Sequence, residues 1–406
     1  MVKNCVIIGA SHAAAQLVAS LRQSGWEDAI TLIGDETHLP YHHPPLSKDY
    51  LADEKSADDL LIRSQEAYEI ANVSLKLGVR VTEINRKMQM VSMSNGESVS
   101  YDKLVITTGA RVRKLPIAGA DLAKVFYLRD MNDVTAIKTS IQPGARAVII
   151  GGGYIGLETA ASLTKLGVSI TVLEAMPRIL QRVTAPELSH FYKRVHTEEG
   201  VRITENVIAD QIVETENNLM VVDKQGGEFP ADFVIIGIGV VPNIELAQAA
   251  DIHCENGISV NEFCQTSDDN IYAAGDVTWH YNPKYKRHLR LESVPNATEQ
   301  AKIVAFHICG KPKIYDSLPW FWSDQFDLKL QIAGLSEGYD DLVIRGDMET
   351  GRSFAAFYFK GETLLAVDAV NAPREFAMSR MVLSKGQTLN RVRIADAAIA
   401  IKEAIV

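Results

Sequence analysis

The tetrapeptide VIIG occurs twice, at residues 6–9 and 148–151, and the same pattern follows each time: a helical period, a glycine stop, then a second apolar run. A short β-branched run ending at a glycine reads as a buried parallel strand, because both of its faces are covered and no apolar-polar alternation is needed. In the first copy the strand covers residues 5–8 and turns at Gly9. Ala14, Leu17, Val18 and Leu21 then keep the i, i+3, i+4, i+7 spacing of one helix face, and Gly25 supplies the stop. In the second copy the strand covers residues 147–150 and the turn 151–153, and the helix runs through Leu163 and Leu166 to a stop at Gly167. Both copies then enter a second apolar strand that finishes at an acid, ITLIGD at 30–35 and ITVLEA at 170–175. One chain therefore carries two βαβ units.

The physics of such a unit favours a dinucleotide. Glycines let the backbone approach a pyrophosphate, the helix N-terminus offers unpaired N–H groups and a positive dipole, and the acid accepts from a ribose hydroxyl. Gly151, Gly153 and Gly156 complete G-x-G-x-x-G, and Glu174 ends the following strand. The first copy departs from the pattern, with Ser11 and Ala14 at the second and third glycine positions. In register, Gly34 stands opposite Glu174, which leaves Asp35 one place later. Alanine is tolerated at the third position, whereas serine at the second adds a Cβ where phosphate approaches, so the first copy is expected to bind with altered geometry. A carboxylate at Glu174 accepts a ribose 2'-OH and repels a 2'-phosphate, which favours NADH over NADPH; Arg178 and Arg182 lie near enough to relax that preference. The fold class expected is α/β, two Rossmann-like dinucleotide domains followed by an α+β domain.

Composition narrows the partners. The 41 Lys and Arg against 51 Asp and Glu leave a net charge of -10, which repels nucleic acid. Cys5, Cys254, Cys264 and Cys309 are scattered, with neither C-x-x-C nor zinc spacing, and a reducing cytoplasm suits them. The start MVKNCVIIG has no secretory apolar segment and the longest apolar run, FVIIGIGVV, is too short to span a bilayer, so no membrane insertion is expected. Adjacent His42 and His43 point oppositely in an extended loop and have no evident third ligand, so no metal site is expected.

Further stretches join the two units: VITTGA at 105–110, a strand running into a glycine turn, and TSDDNIYAAGD at 266–276, whose Gly275-Asp276 could open a helix and present a carboxylate; alone, either stretch reads equally as plain strand punctuation. With HHPPLSKDYL (42–51), RITENVIADQI (202–212), GIGVVPN (237–243), ESVPNATEQA (292–301) and PWFWSDQ (319–325), the chain resembles, over nearly its whole length, the two-dinucleotide flavoprotein reductases, and among them the NADH-dependent ferredoxin reductases of bacterial oxygenase systems. The resemblance implies FAD in the first unit and NADH, as substrate, in the second. For FAD it implies Gly9, Ser11, His12, Ala13 and Ala14 in the first turn, Asp35 at the ribose, Lys48 beside the isoalloxazine, and Val81, Thr108, Gly109, Arg129, Gly275, Asp276, Val294 and Trp322. For NAD it implies Gly151, Gly153, Tyr154, Ile155, Gly156, Glu158, Glu174, Arg182 and Gly237, with Tyr154 and Ile155 where nicotinamide stacks and Glu158 bonding the carboxamide or pairing with Lys48. Lys48, Glu158 and Trp320 are the expected catalytic residues; an indole of PWFWSDQ would cover the flavin or line the electron exit, or else be plain core.

The expected division is an FAD domain at 1–110 and 243–318, an inserted NADH domain at 111–242, and a C-terminal α+β domain at 319–406 with a KGE hairpin and a helix over 375–383. Flavin N5 accepts hydride and the ring releases electrons one at a time. A disulfide reductase needs a C-x-x-x-x-C or comparable pair beside the flavin and a peroxide-reducing oxidase needs one active cysteine in the loop that here reads YHHPPLSK; neither is present, so the outlet expected is a one-electron carrier, a [2Fe-2S] ferredoxin or a rubredoxin, feeding a Rieske dioxygenase or a haem monooxygenase. NPKYKRHLR at 282–290 offers that carrier Lys284, Lys286, Arg287 and Arg290. A flavin-bound redox sensor and a monodehydroascorbate-type reductase are the rival readings, and monomer against homodimer stays open.

Overall fold

The computed structural model describes residues 3–216 and 218–406. The chain forms two compact units: the residues up to His42 with Leu60–Arg111 and Val241–Phe321, and His43–Asp59 with Val112–Val240 and Trp322–Val406. Each contains one copy of the repeated motif. In the first unit these are strand β1 (Asn4–Ile8), helix α1 (His12–Ser24) and strand β2 (Ala29–Ile33); in the second, β3 (Arg146–Ile150), α2 (Tyr154–Lys165) and β4 (Ser169–Glu174).

In the first unit β1 is the middle of a five-stranded sheet, flanked by β2 and Lys103–Ile106, with Val73–Lys76 and Ile271–Ala273 at the edges, and every pairing is parallel. The second sheet has the same plan: β3 between β4 and Phe233–Ile236, with Arg202–Glu205 and Val125–Tyr127 outside, again all parallel. These are doubly wound sheets. Burial on both faces explains why β1 shows no alternation. Cys5 and Ile7 pack with Leu17 and Leu21 of α1, while Val6 and Ile8 face Val81, Ile84 and Val91. Those last residues belong to a three-stranded antiparallel meander (Val81–Asn85, Met90–Met93, Ser98–Ser100), and the second unit repeats this device with Ala209–Glu214, Leu219–Asp223 and Glu228–Ala231 against Val148 and Ile150. The duplication thus extends to the covers of the sheets, which no motif announced.

Residues 43–59 group with the second unit for a local reason. Pro44–Ser47 forms a 3-10 turn, the Ser162 hydroxyl of α2 donates to the Ser47 carbonyl at 2.8 Å, and the Ser47 hydroxyl donates to Glu158, one turn back on the same helix, at 2.6 Å. The C-terminal stretch joins through helix α3 (Pro186–Glu198): the Phe191 ring meets Phe354 edge-on at 4.8 Å, and buried Asp368 accepts from Thr184 at 3.0 Å and Tyr358 at 2.6 Å. In the first unit helix α4 (Val294–Ile308) packs against α1 through the small residues Ala13, Ala14, Ala297 and Ala301.

The C-terminal sheet runs β5 (Trp320–Gln325), Leu328–Gly334, Thr363–Val370, Ser353–Lys360, Asp341–Asp347 in space. The pairing Lys360↔Thr363 places a tight hairpin at Gly361, as KGE predicts, and the helix expected over 375–383 spans Pro373–Ser384. One expectation fails. Gly275-Asp276 does not open a helix: Gly275 has φ 90°, its carbonyl accepts from the Thr278 backbone, and the chain turns into strand Thr278–Asn282. With a β-branched valine and threonine next in sequence, the residues after the turn favour strand.

Candidate functional site

The two glycine turns are built alike at their first residue. Gly9 (φ 103°) and Gly151 (φ 116°) occupy left-handed backbone, and a Cβ would sit 2.3 Å from the Thr107 carbonyl oxygen in one case and 2.4 Å from that of Gly237 in the other. Only glycine fits there. Helices α1 and α2 follow, and among the α-helices of the described residues they alone have neither a capping side chain nor an acid in the first turn. The positive ends of their dipoles face no acid of their own first turn, a setting that a pyrophosphate fits.

At the second position the copies diverge. A Cβ at Gly153 meets nothing within 4 Å, so the turn faces open space; Ser11 stands at the matching N-cap. A Cβ at Gly156 would lie 2.2 Å from the Gly151 carbonyl oxygen, so α2 comes closer to its strand than alanine would allow. The acid has moved too. Ile33 and Leu173 occupy matching registers, so Gly34 corresponds to Glu174, and a side chain at Gly34 would meet the Ala10 Cβ at 2.5 Å. In the second copy the bulk is reversed: Gly152 matches Ala10, and its missing Cβ would lie 3.0 Å from a Glu174 oxygen. The pairs Ala10/Gly34 and Gly152/Glu174 are alternative fillings of one space, which is why the first copy's acid waits until Asp35. Asp35 is exposed and pairs with Arg80 at 2.8 Å.

Glu174 is tied into the turn it serves, with Oε2 accepting from the Gly152 N–H and Oε1 from the Met176 N–H, each at 2.8 Å. Arg178 donates to the Ser189 hydroxyl (2.6 Å) and the Gln181 carbonyl (3.1 Å); Arg182 is exposed, with its guanidinium beside Gly239. Tyr154 opens α2 half-buried, burial together with nearby Asp368 pushes its phenol well up, and Ile155 beside it is exposed.

Lys48, at the end of the Pro44–Ser47 turn, reaches the Glu158 Oε2 at 2.5 Å, the Pro44 carbonyl at 3.1 Å and the Ser47 hydroxyl at 3.2 Å. Glu158 takes the Ser47 hydroxyl on Oε2 and the Ser323 hydroxyl on Oε1, both at 2.6 Å. Of the two roles expected for Glu158, this geometry shows the pairing with Lys48. The pair is nearly dry, at 14 % and 5 % side-chain exposure.

The remaining positions fall as follows. In the first unit the Thr108 hydroxyl donates to the Asn243 carbonyl at 2.9 Å, Gly109 accepts from the Asn243 N–H, and Gly275 lies between Ala13 and Ala297. Asp276 follows it half-buried, Val294 opens α4, Val81 is buried in the meander, and Trp320 is half-buried on β5. His12, buried, faces the His42 ring at 5.3 Å. Lys48, Arg129 and Trp322, expected around FAD, belong to the second unit; the Arg129 N–H donates to Asp133. The basic stretch forms a hairpin, Thr278–Asn282 with Arg287–Leu289. Arg290 pairs with Glu292, and burial lowers the Lys284 pKa from its ordinary value.

Sequence reasoning missed several supports. Thr107 donates to the Ile8 carbonyl (3.0 Å) and the Gly9 carbonyl (2.9 Å), and Gln300 accepts from the Gly275 N–H (2.8 Å) and Thr278 (3.0 Å), locking the two turns of the first unit. Ser47, Ser323 and Gln325 were missed as well. The signal available was alternation in PWFWSDQ, where Ser323 and Gln325 share a face.

A family model described as pyridine nucleotide-disulphide oxidoreductase matches residues 3–301, and one described as reductase C-terminal matches residues 320–405. Putidaredoxin reductase of Pseudomonas putida is 42% identical over 99% of this chain and 96% of its own. Rhodocoxin reductase of Rhodococcus erythropolis is 39% identical over 98% and 94%. Among solved structures, the covalent putidaredoxin reductase-putidaredoxin complex matches with a TM-score of 0.96 at 42% identity, covering 99% of this chain and 98% of that one.

Proposed function

We propose a function on the premise that this chain belongs to the pyridine nucleotide-disulphide oxidoreductase family and, with its reductase C-terminal domain, to the ferredoxin reductases related to putidaredoxin reductase. It is an electron-transport oxidoreductase using FAD and a pyridine nucleotide, and its partner is a ferredoxin or rubredoxin that feeds an oxygenase. The finer reading is ours: NADH is the donor, FAD lies on the turn at Gly9 and NADH on the turn at Gly151, within domains of 1–110 with 243–318, 111–242 and 319–406. Cytoplasm is the location we propose, since all four cysteines are free thiols. No helix of the described residues is long and apolar enough to cross a membrane.

The observation that carries this reading is two dinucleotide turns in one chain, two of whose four thiols are shut away from exchange. Cys5 and Cys264 are fully buried, and burial pushes both thiols up, Cys5 to about 12. The flavin, when bound, supplies a two-electron acceptor that returns electrons singly. The chain supplies the rest. The α1 and α2 N-termini hold pyrophosphates, Glu174 selects the ribose hydroxyls, and Lys48 holds a positive charge in a nearly dry setting with Glu158 as its counter-ion. The test is NADH-dependent reduction of a [2Fe-2S] ferredoxin or a rubredoxin by the purified yellow protein. Carrier-independent turnover of peroxide or disulfide at equal rate would overturn it.

Two variants divide the assignment. Gly153→Ser copies what the first turn already has at Ser11 into a position with open space, so fold and flavin content are expected to stay unchanged. KM for NADH should rise about tenfold or more, the value of roughly one lost charge-assisted contact. Glu174→Ser is expected to narrow the NADH over NADPH preference by about tenfold to a hundredfold, read as the ratio of kcat/KM values. An unchanged ratio would remove Glu174 as the selector.

A further inference from the structure

The Lys48–Glu158 pair is the end of a longer buried chain of hydrogen bonds. From Glu158 Oε1 it passes to the Ser323 hydroxyl (2.6 Å), to the Gln325 amide nitrogen (3.1 Å), and from the Gln325 carbonyl oxygen to His196 Nε2 (2.8 Å). Glu158 lies on α2, Ser323 and Gln325 on β5, and His196 on α3, with exposures of 4 %, 1 %, 1 % and 0 %.

Chemistry fixes its polarity. A carboxylate held against an ammonium can only accept, so Ser323 must donate to it. The Ser323 oxygen then accepts from the Gln325 NH2, which leaves the Gln325 oxygen facing His196, and His196 must carry its proton on Nε2. Burial lowers the His196 pKa to about 4, so the ring is neutral at pH 7 and the direction is single. Bonds aligned this way polarise one another, and a fully satisfied buried network orients its members more rigidly than separate contacts do.

We propose that Ser323, braced by Gln325 and His196, is a positioning residue for the reductase reaction: it holds the Glu158 carboxylate, and through it the Lys48 ammonium, in one orientation. This rests on the reading of Lys48 and Glu158 as the working pair. It gives the last part of the chain a role inside the reaction's polar network, beside any role in meeting the carrier.

The experiment uses flavin-loaded protein carrying Ser323→Ala, Lys48→Met or both, with ferricyanide as the one-electron acceptor. It reads kcat and KM for NADH and the flavin midpoint potential. Ser323→Ala is expected to lower kcat about tenfold, equivalent to roughly 1.4 kcal/mol at the barrier, with KM unchanged and the potential moved to more negative values. In the Lys48→Met background it should add nothing to either. The proposal is overturned if Lys48→Met moves the potential and Ser323→Ala does not, or if Ser323→Ala costs the same in both backgrounds. If Lys48→Met moves neither quantity, the pair itself is not the working one, and that result is distinct from the other two. Should Ser323→Ala lose its flavin, Gln325→Leu, which keeps the bulk, is expected to act in the same direction with smaller amplitude, and no effect on potential would count against the proposal. Imidazole nitrogen chemical shifts at pH 7 give a reading independent of turnover: an Nδ1–H tautomer at His196 would break the chain.

Discussion

Replacing Lys48 by methionine is expected to cost about 3–5 kcal/mol of stability, the range for breaking a buried ion pair from one side, and to lower turnover about a hundredfold or more, as removal of a preorganised charge does. Replacing Glu158 by leucine should also destabilise, but less. Without Glu158, Lys48 keeps the Pro44 carbonyl and the Ser47 hydroxyl, whereas without Lys48 a carboxylate at 5 % exposure has only two hydroxyls. The double variant then separates structure from function. With both charges gone there is nothing left to neutralise, so most of the stability should return while turnover stays low. Thermal denaturation of the four proteins, with steady-state rates on the same samples, closes the cycle. A double variant as unstable as the sum of the singles would mean that the two residues matter to the fold independently, and recovery of turnover would end the catalytic reading.

What could be read from the chain was what local periodicity encodes. The strands, glycine turns and helices of both copies, and the offset of Asp35, follow from apolar spacing and from which glycines are present. The reason for that offset was hidden, because it lies in the exchange of bulk between Ala10 and Gly34 on one side and Gly152 and Glu174 on the other, across neighbouring strands. Gly275-Asp276 misled because a glycine-acid pair caps helices and closes turns equally well, and only the strand after it decides. The polar supports were hidden for a different reason. Ser47 and Glu158 are 111 residues apart and Ser323 and Glu158 are 165 apart, and nothing periodic connects them. A serine and a glutamine on alternate positions of PWFWSDQ look like the wet face of a strand until the fold shows that face to be buried.

Acidification from pH 7 to pH 4 is expected to weaken the first unit more than the second. His280 in the first unit and His196 in the second are 2 % and 0 % exposed, and burial lowers both to about 4 from an ordinary 6.5. Between those values the unfolded chain takes a proton that the folded one refuses. The stability each provides is therefore present above pH 6.5 and lost as the pH falls towards 4, about 3 kcal/mol apiece. Asp368 works the other way. Burial raises it to about 6 from 3.8, so the folded state takes the proton first, and the stability it adds is complete below 3.8 and lost as pH rises through 6. Asp368 and His196 share the second unit, where their terms oppose each other and Asp133 is also raised by burial, whereas His280 lies in the first unit together with His307, which burial also lowers. Hydrogen exchange resolved by segment at pH 7, 5.5 and 4 reads the two units separately. Protection of the sheet around β1 should fall by about 3 kcal/mol while that around β3 changes little. Asp368→Asn removes the offset, because an amide does not titrate, and should make the second unit as acid-sensitive as the first. If both sheets lose protection together in the unmodified protein, and Asp368→Asn makes no difference, the buried aspartate is not the residue that sets the difference.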